Sequence, residues 1–558
     1  MLVDTTRHEV LDNLLPFNIC IIGSGPAGIT LAREMSHSGL RVCLMESGGH
    51  NLSRDTQHLN EGAVASSQGY HEQILLEGRC RQFGGTANLW NHEVRGESTQ
   101  YIRYVPLDEI DFECRDWVPE SGWPFSRREI QSYYERAQQV CGIGRFNYRD
   151  GAWERGTENS QPWQTKKIES VACLFGSSRI FLKDYRRELA RDERVSVILH
   201  TTLLHLEMDP LSRTITSAQA ATPDGRKLRV RAQAFVLGAG GLENARILLL
   251  QNALQPGGLG NQHDMVGRCF MDHPAITLGT LIPSSGAVFA QAGLYDQHDD
   301  KGQATMYMLH IRPDVMRREK MLNLCGVLVP HFRNFRANSP AVIHQLLTRT
   351  PRFLLKRILA APRSQFPSPS IRQRLLTQYY SEGQCGWSSL GRLERRFAEF
   401  GIHALAEQAP DRSNRIILGE QIDTFGQQKV KVLWQWNELD LRSIRQAQQI
   451  MRLELASAGI GAFIPAEEMP GSQPRCFSSA HHFMGTTRMH DNPRNGVVDA
   501  DCRVHGVPNL FIAGSSVFPT GGFANPTLTI VALAIRLATH LQSKLQSTPK
   551  IHADPTTA

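Results

Sequence analysis

The sequence predicts an α/β portion of the Rossmann type joined to an α+β portion with a mainly antiparallel sheet and a helical insert. Three patterns predict it. Between Phe17 and Glu46 an apolar run, a Gly-x-Gly-x-x-Gly turn, a helical pattern and a second strand follow one another and end on an acid. Between Ala234 and Leu250 a buried strand again passes through glycines into a helix. From residue 275 onward, alternating or β-branched runs succeed one another with few helical patterns between them, as antiparallel pairing requires.

Bulk composition is compatible with this. At roughly 100–200 residues per domain, 558 residues make room for several domains and a large core. The chain is 41% hydrophobic and 21% charged, with a mean hydropathy of −0.31 and no apolar run long enough to span a bilayer. The first residues carry Asp4 and no basic n-region or twin arginine, so no secretory signal is expected. The eleven cysteines are odd in number and contain no Cys-x-x-Cys. That argues against a disulfide framework, a zinc knuckle or an iron–sulfur cluster. The expectation is no metal and a reducing, cytoplasmic setting.

In chain order, Phe17–Ile22 is the first strand. Gly23 makes the tight turn, Gly25 lets the backbone approach a pyrophosphate, and Gly28 lets helix and strand pack closely. Ser24, Pro26 and Ala27 complete the turn, and the helix N-terminus faces the phosphates. The helix is expected over 29–37, ended by Gly39. The strand after it ends on Glu46, whose carboxylate can accept both ribose hydroxyls. An acid there argues against the 2′-phosphate of NADP and leaves NAD and FAD open. Gly84 and Gly85, between Arg81 and Trp90, permit a second close backbone approach, with Thr86 and Asn88 able to orient a ring system. An amphipathic helix is expected around 130–140, a strand at 195–199 and a hairpin at Pro223-Asp224-Gly225. The second strand–glycine–helix unit follows, through Gly238 and Ala239 into a helix over 243–250. Strands are then expected at 275–282, 304–311, 322–329, 403–407, 415–418 and 429–434, forming one antiparallel sheet. Near the C-terminus, Leu510–Ser515 reads as a strand, and Asn525-Pro526 as an N-cap and first residue for an apolar helix from Thr527 to Leu541.

The net charge of +7 is local. Ten Lys and Arg fall between 341 and 400, against Glu382, Glu394 and Glu399 alone. This insert reads as helical and Pro-interrupted, a solvated cap. A second reading is a peripheral membrane surface, because Leu354-Leu355 and Ile358-Leu359 interleave with Arg352, Lys356 and Arg357. No nucleic-acid-binding motif accompanies the charge, so nucleic acid is not expected as a partner.

Together the motifs resemble the glucose–methanol–choline (GMC) family of FAD-dependent oxidoreductases. The matching residues are Gly23–Glu46 with Ser47-Gly48-Gly49; Arg81 through Trp90; Gly238 through Leu248; Val266-Gly267-Arg268 through Asp272-His273-Pro274; and His482 through Ala534. They stand in the family's order, and the chain is most similar to the bacterial sugar-type branch, near pyranose oxidases and sugar dehydrogenases. The resemblance selects FAD over NAD. It implies a discontinuous FAD-binding domain (1–105, 166–275 and 475–545), a cap segment (106–165), a substrate domain on an antiparallel sheet (276–474) and a tail (546–558).

It also implies the site. Leu203 would lie at the adenine, Gly238 and Ala239 on the adenosine side, Gly514 and Ser515 by the ribityl and phosphates, and Asn525, Pro526 and Thr527 at the isoalloxazine. His482 fits the family spacing His-x-x-Gly-Thr and is the expected base, histidine being suited to that role by its near-neutral pKa. Asn525 would hold the substrate oxygen. Leu89 stands where relatives with covalently linked flavin carry histidine, so non-covalent FAD is expected. Trp90 and His92 are candidate substrate contacts. The implied reaction is oxidation of CH–OH to C=O on a small-molecule alcohol, with a sugar or glycoside as first reading. An apolar or natural-product alcohol, or a non-redox flavoprotein lyase, remain alternatives. The electron acceptor is left open.

Overall fold

The computed structural model describes residues 1–7, 16–66, 70–94, 99–148, 162–253, 255–300, 302–333, 385–468 and 477–546. Phe17–Ile22 lies inside an eight-stranded sheet. It pairs in parallel with Val42–Met45 on one side and with Lys227–Leu237 on the other. Val42–Met45 pairs in parallel with Val195–Leu199, and that strand with Leu2–Asp4. Lys227–Leu237 serves two neighbours in turn. Its first half pairs antiparallel with Ile215–Ala221, and its last residues pair in parallel with Leu510–Ile512.

The register sets Ile22, Met45, Leu237 and Ile512 in one row. Four parallel strands therefore end together, each running into one of the turns read from the sequence. In open α/β sheets, ligands bind in the crevice outside such carboxyl ends. Ile19, Ile21, Val42, Leu44, Val236 and Leu237 are fully buried. Their near-continuous apolar runs suit parallel strands covered on both faces. The helices Pro26–His37 and Thr527–Gln546 pack against each other beside this sheet.

A ten-stranded sheet, antiparallel throughout, forms the second body. Its main path runs Gly461–Pro465, Pro274–Pro283, Phe397–Ala406, Leu324–Phe332, Gln303–Ile311, Ile168–Ser177, Gln100–Tyr104, His92–Glu93. The helix Glu438–Ser457 packs beside its edge. That helix starts on a capping box in which Asn437 and Asp440 each accept the other's backbone N–H, satisfying two otherwise orphaned donors.

The structure corrects several expectations. The first helix begins at Pro26, not 29, because Gly25 is extended at the N-cap and proline occupies the first position, where its fixed φ is already helical. Arg415–Ile422 and Gln428–Leu433 leave the large sheet. They form a three-stranded sheet with Gly62–Ala65, which pairs in parallel. Gln100–Tyr104 and Ile168–Ser177, on the FAD-binding side of the expected division, pair into the large sheet. The buried, largely apolar run Val171–Phe175 is what places them there. Of the basic insert, 341–384 lies outside the described residues. Residues 387–396 form two single turns that lead into Phe397–Ala406. The tail beyond 546 is likewise outside the described residues. Among the described residues no helix is long and apolar enough to cross a membrane.

Candidate active site

A cavity of about 640 Å³ runs from the row of strand ends to the antiparallel sheet. One end is lined by Gly23, Ser24, Gly25, Pro26, Ala27, Glu46, Ser47, Arg81, Leu203, Gly238, Ala239, Gly514 and Ser515. Gly85, Thr86, Leu89, Trp90 and His92 follow, and His482, Asn525, Pro526 and Thr527 line the far part. The structure thus brings nearly all the expected residues to one wall. Three stand off it. Gly28 is a packing glycine, since a Cβ there would sit 1.9 Å from the Gly23 carbonyl oxygen. Gly84 adopts a φ of 94° and donates its N–H to Ser24 O. Asn88 turns its amide inward, donating to Phe83 O and Gly85 O. It holds the Gly-Gly loop rather than a ring.

The near end fits FAD. A Cβ at Gly25 or at Gly514 would meet no atom within 4 Å, so both bare backbones face open cavity between strand ends, with room for a phosphate chain. The twelve-residue helix that starts at Pro26 directs unpaired N–H groups to the same place. The Glu46 carboxylate is fixed at the rim by Ser24 N (2.9 Å), Ser24 Oγ (2.7 Å) and Gly48 N (2.9 Å). Arg81 spans Ser47 Oγ, Asn60 Oδ1 and Glu243. Burial opposes the charge of Glu243, but Arg81, Arg246 and Arg79 outweigh it and hold its carboxyl down at about 2. Asn244, which sequence reasoning passed over, ties two strand ends together. Its Oδ1 accepts Ala239 N–H, and its Nδ2 donates to Ser516 Oγ and Ala513 O.

The far end is built on a backbone bridge. Met271 and Met484 exchange both N–H···O bonds, and this antiparallel register places His273 opposite His482. Their Nδ1 atoms are 2.9 Å apart, with rings nearly perpendicular at 86°. Asp272 clamps both. One carboxylate oxygen accepts the backbone N–H of His273 (2.7 Å) and of His482 (2.8 Å). The other accepts from Tyr70 and Ser479 hydroxyls. Burial raises the Asp272 carboxyl against the lowering effect of these bonds.

His482 is half-buried, and what it exposes faces the cavity rather than bulk water. This enclosure pushes its pKa well below 6.5, helped by the neighbouring His273, His481 and Arg103. His273 is fully buried and held at about 4 by desolvation. Both rings are therefore neutral at neutral pH.

Asn525 departs from the expected cap. The helix starts at Thr527 as expected, but its first intrahelical bond runs from Ile530 N to Pro526 O, so Pro526 takes the cap position. The Asn525 amide instead donates to Arg103 O at 3.0 Å. Arg103 itself lines the cavity. Neither Arg103 nor His273 stood among the expected site residues. The Asp272-His273-Pro274 motif is visible in the sequence, but its contact with His482 lies 209 residues away.

Known proteins resemble this chain along nearly its whole length. A family model described as GMC oxidoreductase matches residues 410–534. Paromamine 6'-oxidase of Streptomyces fradiae is 31% identical, over 96% of this chain and 93% of its own. The fructose dehydrogenase large subunit of Gluconobacter japonicus is 27% identical, over 95% and 99%. Among solved structures, an FAD-dependent oxidoreductase from Chaetomium thermophilum, in complex with a fragment, superposes with a TM-score of 0.52 at 14% identity. It covers 95% of this chain and all of that one, a likeness of fold.

Proposed function

Because the chain belongs to the GMC oxidoreductase family, FAD-dependent enzymes acting on CH–OH groups, we propose that its substrate is a sugar or glycoside, with His482 as base and Asn525 as the oxygen-holding amide. The observation that carries this reading is the single cavity. It joins the glycine cradle to a neutral, enclosed histidine and continues along a further stretch of wall. Asn91, His92, Tyr101, Arg103, His403 and His481 line it among apolar neighbours such as Met308, Val327 and Val329, a mixed surface on which a polyhydroxyl compound can pair its hydroxyls and rest its C–H faces. His403 is held neutral, at about 4, by burial and by His331, and so can both donate and accept. Fructose, the substrate named for one relative, belongs to the same class.

The chain's own part in the reaction is proton handling and orientation. Nδ1 of His482 is engaged with His273, which leaves Nε2 to take the hydroxyl proton. Asn525, anchored through Arg103 O, keeps a second amide hydrogen for the substrate oxygen. Bound FAD supplies the acceptor for the hydride that leaves the carbinol carbon. FAD is held non-covalently, since Leu89 at the expected linking position has no nucleophilic atom.

Anaerobic titration of the FAD-loaded protein with sugars, glycosides and apolar alcohols tests this. Bleaching of the visible flavin band by sugars or glycosides is the expected result. Bleaching by apolar alcohols alone would overturn the substrate class, and no bleaching by any CH–OH donor would overturn the function.

A further inference from the structure

We propose that His273 is a positioning residue that sets the tautomer of His482, through a relay from the Gly521–Gly522 backbone to the nitrogen that takes the substrate proton. The inference rests on the reading of His482 as the base.

Two imidazole nitrogens 2.9 Å apart must share one hydrogen between them, one donating and the other accepting. Either ring could donate if nothing else intervened. The decision is made at the other side of His273. Its Nε2 is buried and has no hydrogen bond of good geometry. It lies against the Gly521–Gly522 turn, close enough that a Cβ on Gly521 would sit 3.2 Å from it. The Gly521 and Gly522 backbone favours the protonated ring, as backbone carbonyl oxygens do, and Nε2 is the ring nitrogen on that side. Carbonyl oxygens carry lone pairs and no hydrogen, so an N–H at Nε2 is attracted to them and a bare lone pair is repelled. Desolvation keeps His273 neutral, which permits one ring hydrogen only. With that hydrogen on Nε2, Nδ1 of His273 is an acceptor. His482 must then donate from Nδ1, and its Nε2 carries the free lone pair.

The opposite arrangement would put a buried lone pair against two carbonyls and a hydrogen on His482 Nε2, where a base cannot use it. The carriage of the two rings leaves little slack, because Asp272 holds both backbones through one oxygen. Three groups thus act in series: a turn that chooses a tautomer, a buried ring that passes the choice on, and a ring in the cavity that uses it. The general rule that a histidine's working nitrogen is set by the bond its other nitrogen makes is here applied twice.

The test is nitrogen NMR of FAD-loaded enzyme labelled with 15N-histidine, recorded at neutral pH without substrate. The His482 signals are identified by their loss in His482→Gln. The expected pattern is a proton on Nδ1 and a bare Nε2. In His273→Leu the pattern should become mixed or reversed. In His273→Asn, whose side-chain oxygen can take the place of Nδ1 as acceptor, it should return. With an alcohol substrate, His273→Leu should lower kcat at least about tenfold, part of the roughly 10²–10⁴ that a positioned base supplies. KM should change little, and His273→Asn should recover most of the loss. A wild-type His482 with its proton on Nε2 would overturn the proposal, even if His273→Leu fails to fold. So would a His273→Leu enzyme with an unchanged pattern and unchanged kcat. Full turnover by His482→Gln would instead remove the reading of His482 as base, and the tautomer measurement, made without turnover, would still stand.

Discussion

Asp272 offers a sharp contrast between two substitutions that look alike on paper. Four donors converge on its carboxylate: the backbone N–H groups of His273 and His482 on one oxygen, and the Tyr70 and Ser479 hydroxyls on the other. The two hydroxyls can rotate and become acceptors. The two N–H groups cannot. Asp272→Asn can therefore keep its oxygen on the N–H pair and turn its NH₂ toward the hydroxyls. The loss is the charge-assisted part of four bonds, about 1 kcal/mol each at most, largely offset because a buried charge no longer has to be accommodated. Asp272→Ala leaves both buried N–H groups without acceptors, at about 1–3 kcal/mol each, or roughly 2–6 kcal/mol concentrated where both histidines are carried. Asp272→Asn should then stay within a few degrees of wild type in thermal unfolding and keep measurable turnover. Asp272→Ala should unfold clearly lower and lose turnover. Equal behaviour of the two variants in both assays would refute the clamp.

Four further outcomes are expected. His482→Ala should lower kcat by about 10²–10⁴ while FAD and substrate still bind, as read by flavin absorbance and KM. The acid limb of kcat/KM should lie well below 6.5. The base must be unprotonated to act, so activity is lost only as pH falls through a pKa lowered by burial and then by His273, His481 and Arg103. Arg103→Gln removes one of those causes and should move the limb upward, toward 6.5. Denaturation of the holoenzyme should release all its FAD into solution, and flavin fluorescence travelling with the denatured chain would contradict the reading of Leu89.

The two halves of the site differed in how far the sequence exposes them. The cradle was legible because its parts are local. Gly23, Gly25, Gly28 and Glu46 fall within one strand–turn–helix–strand unit, where spacing along the chain is spacing in the fold. His482 and Asn525 were legible for a similar reason, each sitting in a short motif with a fixed offset. The partner ring of His482 was not. His273 reaches it only because Met271 and Met484 pair, and a two-residue bridge has no periodicity to read. The strand Gln100–Tyr104, which carries Arg103, escaped for want of length and for its polar members. Asn525 was misplaced by one position because an Asn-Pro pair satisfies the capping rule equally well whether or not the amide is free. Here the Arg103 carbonyl, brought in by the large sheet, competes for it. Tertiary contact overrode a local preference in each of these cases.

The low proton affinity of His482 constrains how the reaction can run. An alcohol hydroxyl is a far weaker acid than the imidazolium that would form. Full transfer of its proton to so weak a base, before the carbon has begun to change, would lie steeply uphill. Proton and hydride must therefore leave in close concert, or the negative oxygen must be held by other groups meanwhile. The site provides two such groups, the Asn525 amide and the guanidinium of Arg103, the strand residue whose carbonyl anchors that amide and which has no ion-pair partner among the described residues. The same positive charge that weakens the base also favours an oxygen developing negative charge beside it. Removing Arg103 should thus act on two quantities in opposite senses: a stronger base, seen as an acid limb moved upward, and a slower chemical step on the plateau. A purely structural arginine would move neither in this paired way.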